Sequence, residues 1–126
     1  MAARIFLGLS ALVWLPYGIY CFLRPAALAE SAGVAAQTDV GSVEIQAMYG
    51  GLQAGIGVLC ALGALRPALR EPALIALLFL AAGLALARLG GLASVGSLDP
   101  YNGFALVFEG ATVALAAWLS RRAGPA

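Results

Sequence analysis

Four stretches of this chain, residues 5–23, 43–65, 73–92 and 104–119, are apolar almost without interruption, and none holds more than one charged side chain. A helix needs roughly 20 apolar residues to cross a bilayer. Within hydrocarbon the backbone must satisfy its own hydrogen bonds, which a helix does within one segment. Each stretch therefore predicts one membrane-spanning helix. Composition agrees, with 63% of 126 residues hydrophobic, 10% charged and a mean hydropathy of +0.96. A soluble domain is closer to about 45–50% apolar and about 25% charged. The expected fold is all-α, an integral membrane four-helix bundle in up-down-up-down order, forming a single transmembrane domain over residues 1–126.

The segments between the runs set the boundaries. Arg4 and Arg24 bracket the first run, which Pro16 interrupts and is expected to kink. A basic start followed by an apolar core is also the pattern of a cleavable signal peptide, but the run exceeds the usual ~7–15 residues, so a retained helix is expected. Residues 26–36 predict a short surface helix ending near Gly33. Asp39, Gly41 and Ser42 read as a turn, with Ser42 as N-cap and Glu44 in the first turn, where the helix dipole favours a carboxylate. Arg66-Pro67 and Arg70-Glu71-Pro72 form a hinge, with Pro72 as the first residue of the third span. Gly90-Gly91 and residues 94–103 read as the next loop, with a turn at Asp99-Pro100-Tyr101-Asn102-Gly103.

Arginine placement gives the orientation. Arg4, Arg66, Arg70, Arg121 and Arg122 fall on one side of such a bundle and Arg24 and Arg88 on the other. The positive-inside rule then puts both termini in the cytoplasm.

Missing residue types narrow the chemistry. The chain has no His and no Lys, so imidazole ligation of haem or zinc, a Ser-His-Asp relay and a lysine Schiff base are unavailable. No metal and no cofactor are expected. A net charge of +1 gives no case for nucleic acid. Cys21 and Cys60 should lie near opposite membrane faces and read as small apolar residues rather than as a disulfide.

Most polar side chains within the spans fall in the outer half of the membrane. At 100° per residue, Gln46, Tyr49, Gln53 and Gly57 share one face of the second span. Glu44, Met48, Gly51 and Gly55 share the opposite face, where Gly51 and Gly55 form a small-xxx-small pattern expected to let a neighbouring helix approach. Arg88 and Glu109 lie at matching depth on the third and fourth spans. An isolated charge at mid-span costs about 2.5–3.5 kcal/mol, so both should turn inward. They either pair as a structural tie or form a charged wall for a ligand. The candidate binding pocket is Gln46, Tyr49, Gln53, Arg88, Glu109 and Tyr17. Tyr17, Tyr20, Tyr101 and Trp118 also read as interfacial aromatics, and Trp14, too deep for that, as packing.

These residues carry a resemblance. Tyr17-Gly18-x-Tyr20-x-x-x-Arg24-Pro25, then Glu44-x-Gln46-Ala47-x-Tyr49-Gly50-Gly51-x-Gln53, then Gly83-Leu84-Ala85-x-x-Arg88 and a late Glu109 resemble a family of small bacterial four-helix membrane proteins, domain of unknown function 4345. Gln46 stands where that family is expected to carry arginine. The resemblance implies an integral protein of the bacterial cytoplasmic membrane and brings no activity with it. Two functions stand ahead of a third, a transporter or proton pathway. One is a non-catalytic accessory subunit of a membrane complex, or a binder of lipid or a lipophilic small molecule, with membrane lipids, other subunits or a homo-oligomer as partners. The other is a membrane enzyme, an isomerase, cyclase or epoxide hydrolase, with Glu109 or Glu44 as proton donor or acceptor, Tyr49 orienting substrate and Arg88 stabilising negative charge.

Overall fold

The computed structural model describes residues 1–123, and among these there is no strand. Five helices follow in order: α1 Ala2–Leu23, α2 Ala27–Ala32, α3 Asp39–Leu65, α4 Arg70–Val95 and α5 Pro100–Ala123. All but α2 are long and apolar enough to cross a membrane.

The caps explain where the helices differ from expectation. Helix α3 begins four residues before the site expected from Ser42. Thr38 has extended backbone at φ −144°, ψ 164°, and its Oγ1 accepts the Gly41 N–H at 3.1 Å, the N-cap geometry. Asp39, not Glu44, therefore occupies the first turn, and Glu44 sits exposed in the second. Gly90-Gly91 does not end α4. That helix runs to Val95 and stops at Gly96, whose φ of +72° is the left-handed conformation that closes helices. The expected turn at residues 99–103 is instead a helix start. Asp99 Oδ1 accepts the Asn102 N–H at 3.0 Å, and Pro100 stands first, where its missing N–H costs nothing. Pro72 falls in the first turn of α4 rather than at its first residue, after a 3-10 turn over Pro67–Leu69. The short helix expected after the first span is present as α2, ended by Gly33 at φ +69°.

Helix α3 contains one irregularity. Over Gln46–Gly51 it is wound as a π-helix, with the Leu52 N–H reaching back five residues to the Ala47 carbonyl. This turn inserts one extra residue between the start of α3 and its long regular part, Leu52–Leu65.

The helices associate as two pairs. Helix α1 packs along α3, and α4 along α5. In the first pair the backbones nearly touch. A Cβ added at Gly57 would lie 2.5 Å from Leu15 Cβ and N, one at Gly50 would lie 2.8 Å from Phe22 Cβ, and one at Gly18 would fall on the Ala54 backbone. The close approach expected at Gly51 and Gly55 thus falls on Gly18, Gly50 and Gly57 instead. Gly55 has nothing within 4 Å, and both Gly51 and Gly55 are exposed. The pairs meet through α3 and α4, where Gly63 lies against Ala73 and Leu7. Leu7, Trp14, Ile56, Cys60, Leu74 and Leu77 form the main core there. Trp14 is buried in it and packs against Phe108, ring centres 6.0 Å apart. Cys21 belongs to a separate small core with Leu28 and Ile45, and both cysteines are free thiols.

Candidate functional site

The polar centre of the molecule lies between α4 and α5. Helix spacing prepares it: Asn102 and Glu109 are seven residues apart on α5 and so share a face. Glu109 lies about 14 Å along the axis from the start of its helix, and Arg88 about 10 Å from the end of α4. The Arg88 side chain spans the small offset. Its Nε donates to Glu109 Oε1 at 3.2 Å and Oε2 at 3.1 Å, and its Nη2 donates to Oε1 at 2.8 Å. The Glu109 side chain is 5% exposed and that of Arg88 is 21% exposed. This is the one ion pair among the described residues.

The network continues toward the 96–99 loop. Arg88 Nη1 donates to Asn102 Oδ1 at 2.6 Å, and Asn102 Nδ2 donates in turn to Asp99 Oδ2. Asp99, in the loop, is fully exposed. Its carboxyl is held below the usual range because the Asn102 backbone N–H and side-chain amide both bind the charged form. The Tyr101 ring centre lies 6.0 Å from the guanidinium carbon, at the outer limit of a cation–π contact.

Above this network is a cavity of about 280 Å³ lined by Arg88, Gly91, Leu92, Val95, Ser97, Asp99 and Asn102. Arginine has five N–H groups. Three are committed, the Nε–H and one on Nη2 to Glu109 and one on Nη1 to Asn102, which leaves one on each terminal nitrogen. A larger hollow of about 390 Å³ lies between α2 and the start of α3, walled by alanines on one side and by Gln37, Thr38, Asp39 and Ser42 on the other.

Of the six residues expected to form one pocket, the structure brings Arg88 and Glu109 into direct contact, and Arg88 alone lines the 280 Å³ cavity. Tyr17 lies beside Tyr101 and Cys21. Tyr49 packs on the Cys21 cluster, within electrostatic reach of Arg88. Gln53 is buried with its Oε1 unpartnered. Gln46 is occupied elsewhere: its Nε2 donates to the Phe22 carbonyl at 3.0 Å and so satisfies the end of α1. Glu44 is exposed. Asn102 and Asp99, read from sequence only as turn residues, join the site. The seven-residue spacing from Asn102 to Glu109 was the available signal.

Glu109 receives two N–H groups of one guanidinium, the Nε–H shared between both of its oxygens, so its charge is balanced in place. Such a pair positions helices and presents a fixed dipole.

Residues 2–120 match the family described as Domain of unknown function (DUF4345), and the chain belongs to that family. Searches of curated proteins and of solved structures returned no match.

Proposed function

We propose that this chain is a non-catalytic multi-pass protein of the bacterial cytoplasmic membrane that binds the polar end of a lipid or other lipophilic molecule. In this reading the four long helices form an up-down-up-down bundle with both termini cytoplasmic. The cavity beside Arg88 then opens at the outer interface. The observation that carries the proposal is this cavity: polar at its deep end, where Arg88 and Asn102 lie, and walled by the apolar Leu92 and Val95 of α4 between there and the outer interface. Amphiphiles require that combination. The alternative, acid–base catalysis by Glu109, has less support because Arg88 already occupies the carboxylate.

Purification in a mild detergent followed by native mass spectrometry tests the proposal. The expected result is one retained amphiphile per chain. Gly91→Leu places a side chain in the cavity where a Cβ meets nothing within 4 Å, so it should fold normally and lose the ligand. An empty wild-type protein, or full retention in Gly91→Leu, would refute the reading.

A further inference from the structure

We propose that the arginine-rich end of the molecule holds an anionic phospholipid by its phosphodiester, at the turn between Arg66 and Arg70. This site is separate from the cavity beside Arg88 and lies at the opposite end of α4. Packing brings the arginines together. Gly63 lies against both Leu7 and Ala73, and Leu119 joins the same core, so Arg4, Arg66, Arg70, Arg121 and Arg122 share one end. Among the described residues Glu71 is the only carboxylate there. Glu30, Asp39, Glu44 and Asp99 lie at the other end, and Glu109 is committed to Arg88. None of the five arginines has an ion-pair partner among the described residues. A headgroup with an uncompensated phosphate is attracted to this end, whereas a zwitterionic one brings a cation of its own that the arginines repel.

Within this end, the Arg66–Arg70 turn is the part left free for a ligand. Arg122 is already stacked over the Trp118 ring at 4.1 Å. Arg66 is exposed, and Arg70 is half-buried with its Nε shut away from solvent and without an acceptor. A buried donor with no acceptor is costly. Turning Arg70 outward gives up no bond at Nε and presents a fork of parallel N–H groups, the geometry that matches two phosphate oxygens. The course of α4 then commits the ligand to a lipid. The helix runs from Arg70 toward the middle of its apolar span, and the exposed apolar side chains of Ile75 and Phe79 stand about 8 and 14 Å further along it. Acyl chains hanging from a phosphate on Arg70 lie along these residues in the direction of the membrane centre.

The test reconstitutes the full chain in nanodiscs containing equal amounts of phosphatidylglycerol and phosphatidylcholine with the same acyl chains, and counts retained lipids by native mass spectrometry. Phosphatidylglycerol should be enriched about fivefold, the scale of one basic side chain at an anionic headgroup. Arg66→Gln, a change at an exposed position that should fold normally, and Arg70→Gln should each lower the enrichment, and the double variant should bring the two lipids to parity. Arg121→Gln should keep most of it. Equal retention of the two lipids by the wild type overturns the proposal, as does an enrichment that survives in the double variant. A fall in Arg121→Gln as large as in Arg66→Gln also overturns it, because a diffuse positive field, not a site, would then hold the lipid. Free glycerol phosphate that displaces the lipid at equal concentration overturns the commitment to a lipid. Gly91→Leu, which fills the other cavity, should leave the enrichment in place, and its loss there would assign the lipid to the Arg88 cavity and reject the Arg66–Arg70 site.

Discussion

The two helix pairs are joined by opposite means. Helices α1 and α3 approach through removal of side chains: Gly18, Gly50 and Gly57 let the backbones come into contact, with Gln46 tying the ends. Helices α4 and α5 contain Gly83, Gly90, Gly91 and Gly110, yet a Cβ at any of them would meet nothing within 4 Å. That pair is held by Arg88, Glu109 and Asn102 instead. In lipid there is little hydrophobic gain from bringing helices together, so close van der Waals contact and buried polar bonds are the two remaining sources of cohesion. One pair uses each. A glycine seam leaves no room for a ligand, whereas a polar clamp with spare N–H groups leaves a cavity, and this places the candidate site on α4 and α5.

The contrast can be broken from either side. The largest effect is expected for Glu109→Leu, which leaves the Arg88 guanidinium without a counter-charge and should cost about 3–5 kcal/mol. Adding Arg88→Met to it should restore most of that stability, since replacing both members of a buried pair is often neutral. Denaturant unfolding in detergent micelles measures both, and a double variant as unstable as the single one would mean the pair is not the clamp. Next comes Gly57→Val, which forces a side chain into Leu15 and should cost about 1–3 kcal/mol. Gly55→Ala, with open space around it, should stay within about 0.5 kcal/mol. Equal losses at the two positions would dissolve the distinction between seam and open face. Asn102→Ala removes the bond to Arg88 and should cost about 1 kcal/mol in the same assay.

The smallest effect is a pH dependence. The folded Asp99 pKa lies below its unfolded value, so the stability it adds is fully present above the ordinary aspartate pKa of about 4 and is lost as pH falls through the lower folded value. A melting series across that range should show a small drop that Asp99→Asn abolishes.

Sequence made the Arg88–Glu109 pair legible because charges in an apolar run have few acceptable places, and equal depth on adjacent spans left each with the other. It also separated Gln53 and Gly57 from Gly51 and Gly55 on α3, but it took the second set, which is exposed, for the packing seam. What it did not reveal was which face meets the neighbouring helix. Lipid and protein interior are both apolar, so Gly51-xxx-Gly55 and Gly50-xxx-Ala54 look equally suited to packing. The caps were misplaced for a different reason. Thr38 and Ser42 are both good N-caps, and their choice depends on where the chain leaving α2 can turn, a tertiary property. Asn102 was hidden by its own local signal, since Asp99-Pro100 marks a turn and the start of a helix equally well.

The π-helical turn at Gln46–Gly51 carries a consequence for insertions and deletions. Deleting one residue from a regular helix rotates everything on one side of the cut by about 100°. Here the wide turn already absorbs one surplus residue, so a single deletion within it would return α3 to regular winding with both flanks still in phase. The segment Leu52–Leu65 would keep its seating against α1, and Ile45 its place beside Cys21 and Leu28. The same deletion within Leu52–Leu65 would turn Asp39–Ile45 about the helix axis and take the Gln46 amide from the Phe22 carbonyl. The surplus residue acts as slack in the chain, a place where its length can change by one without re-indexing the rim of the protein.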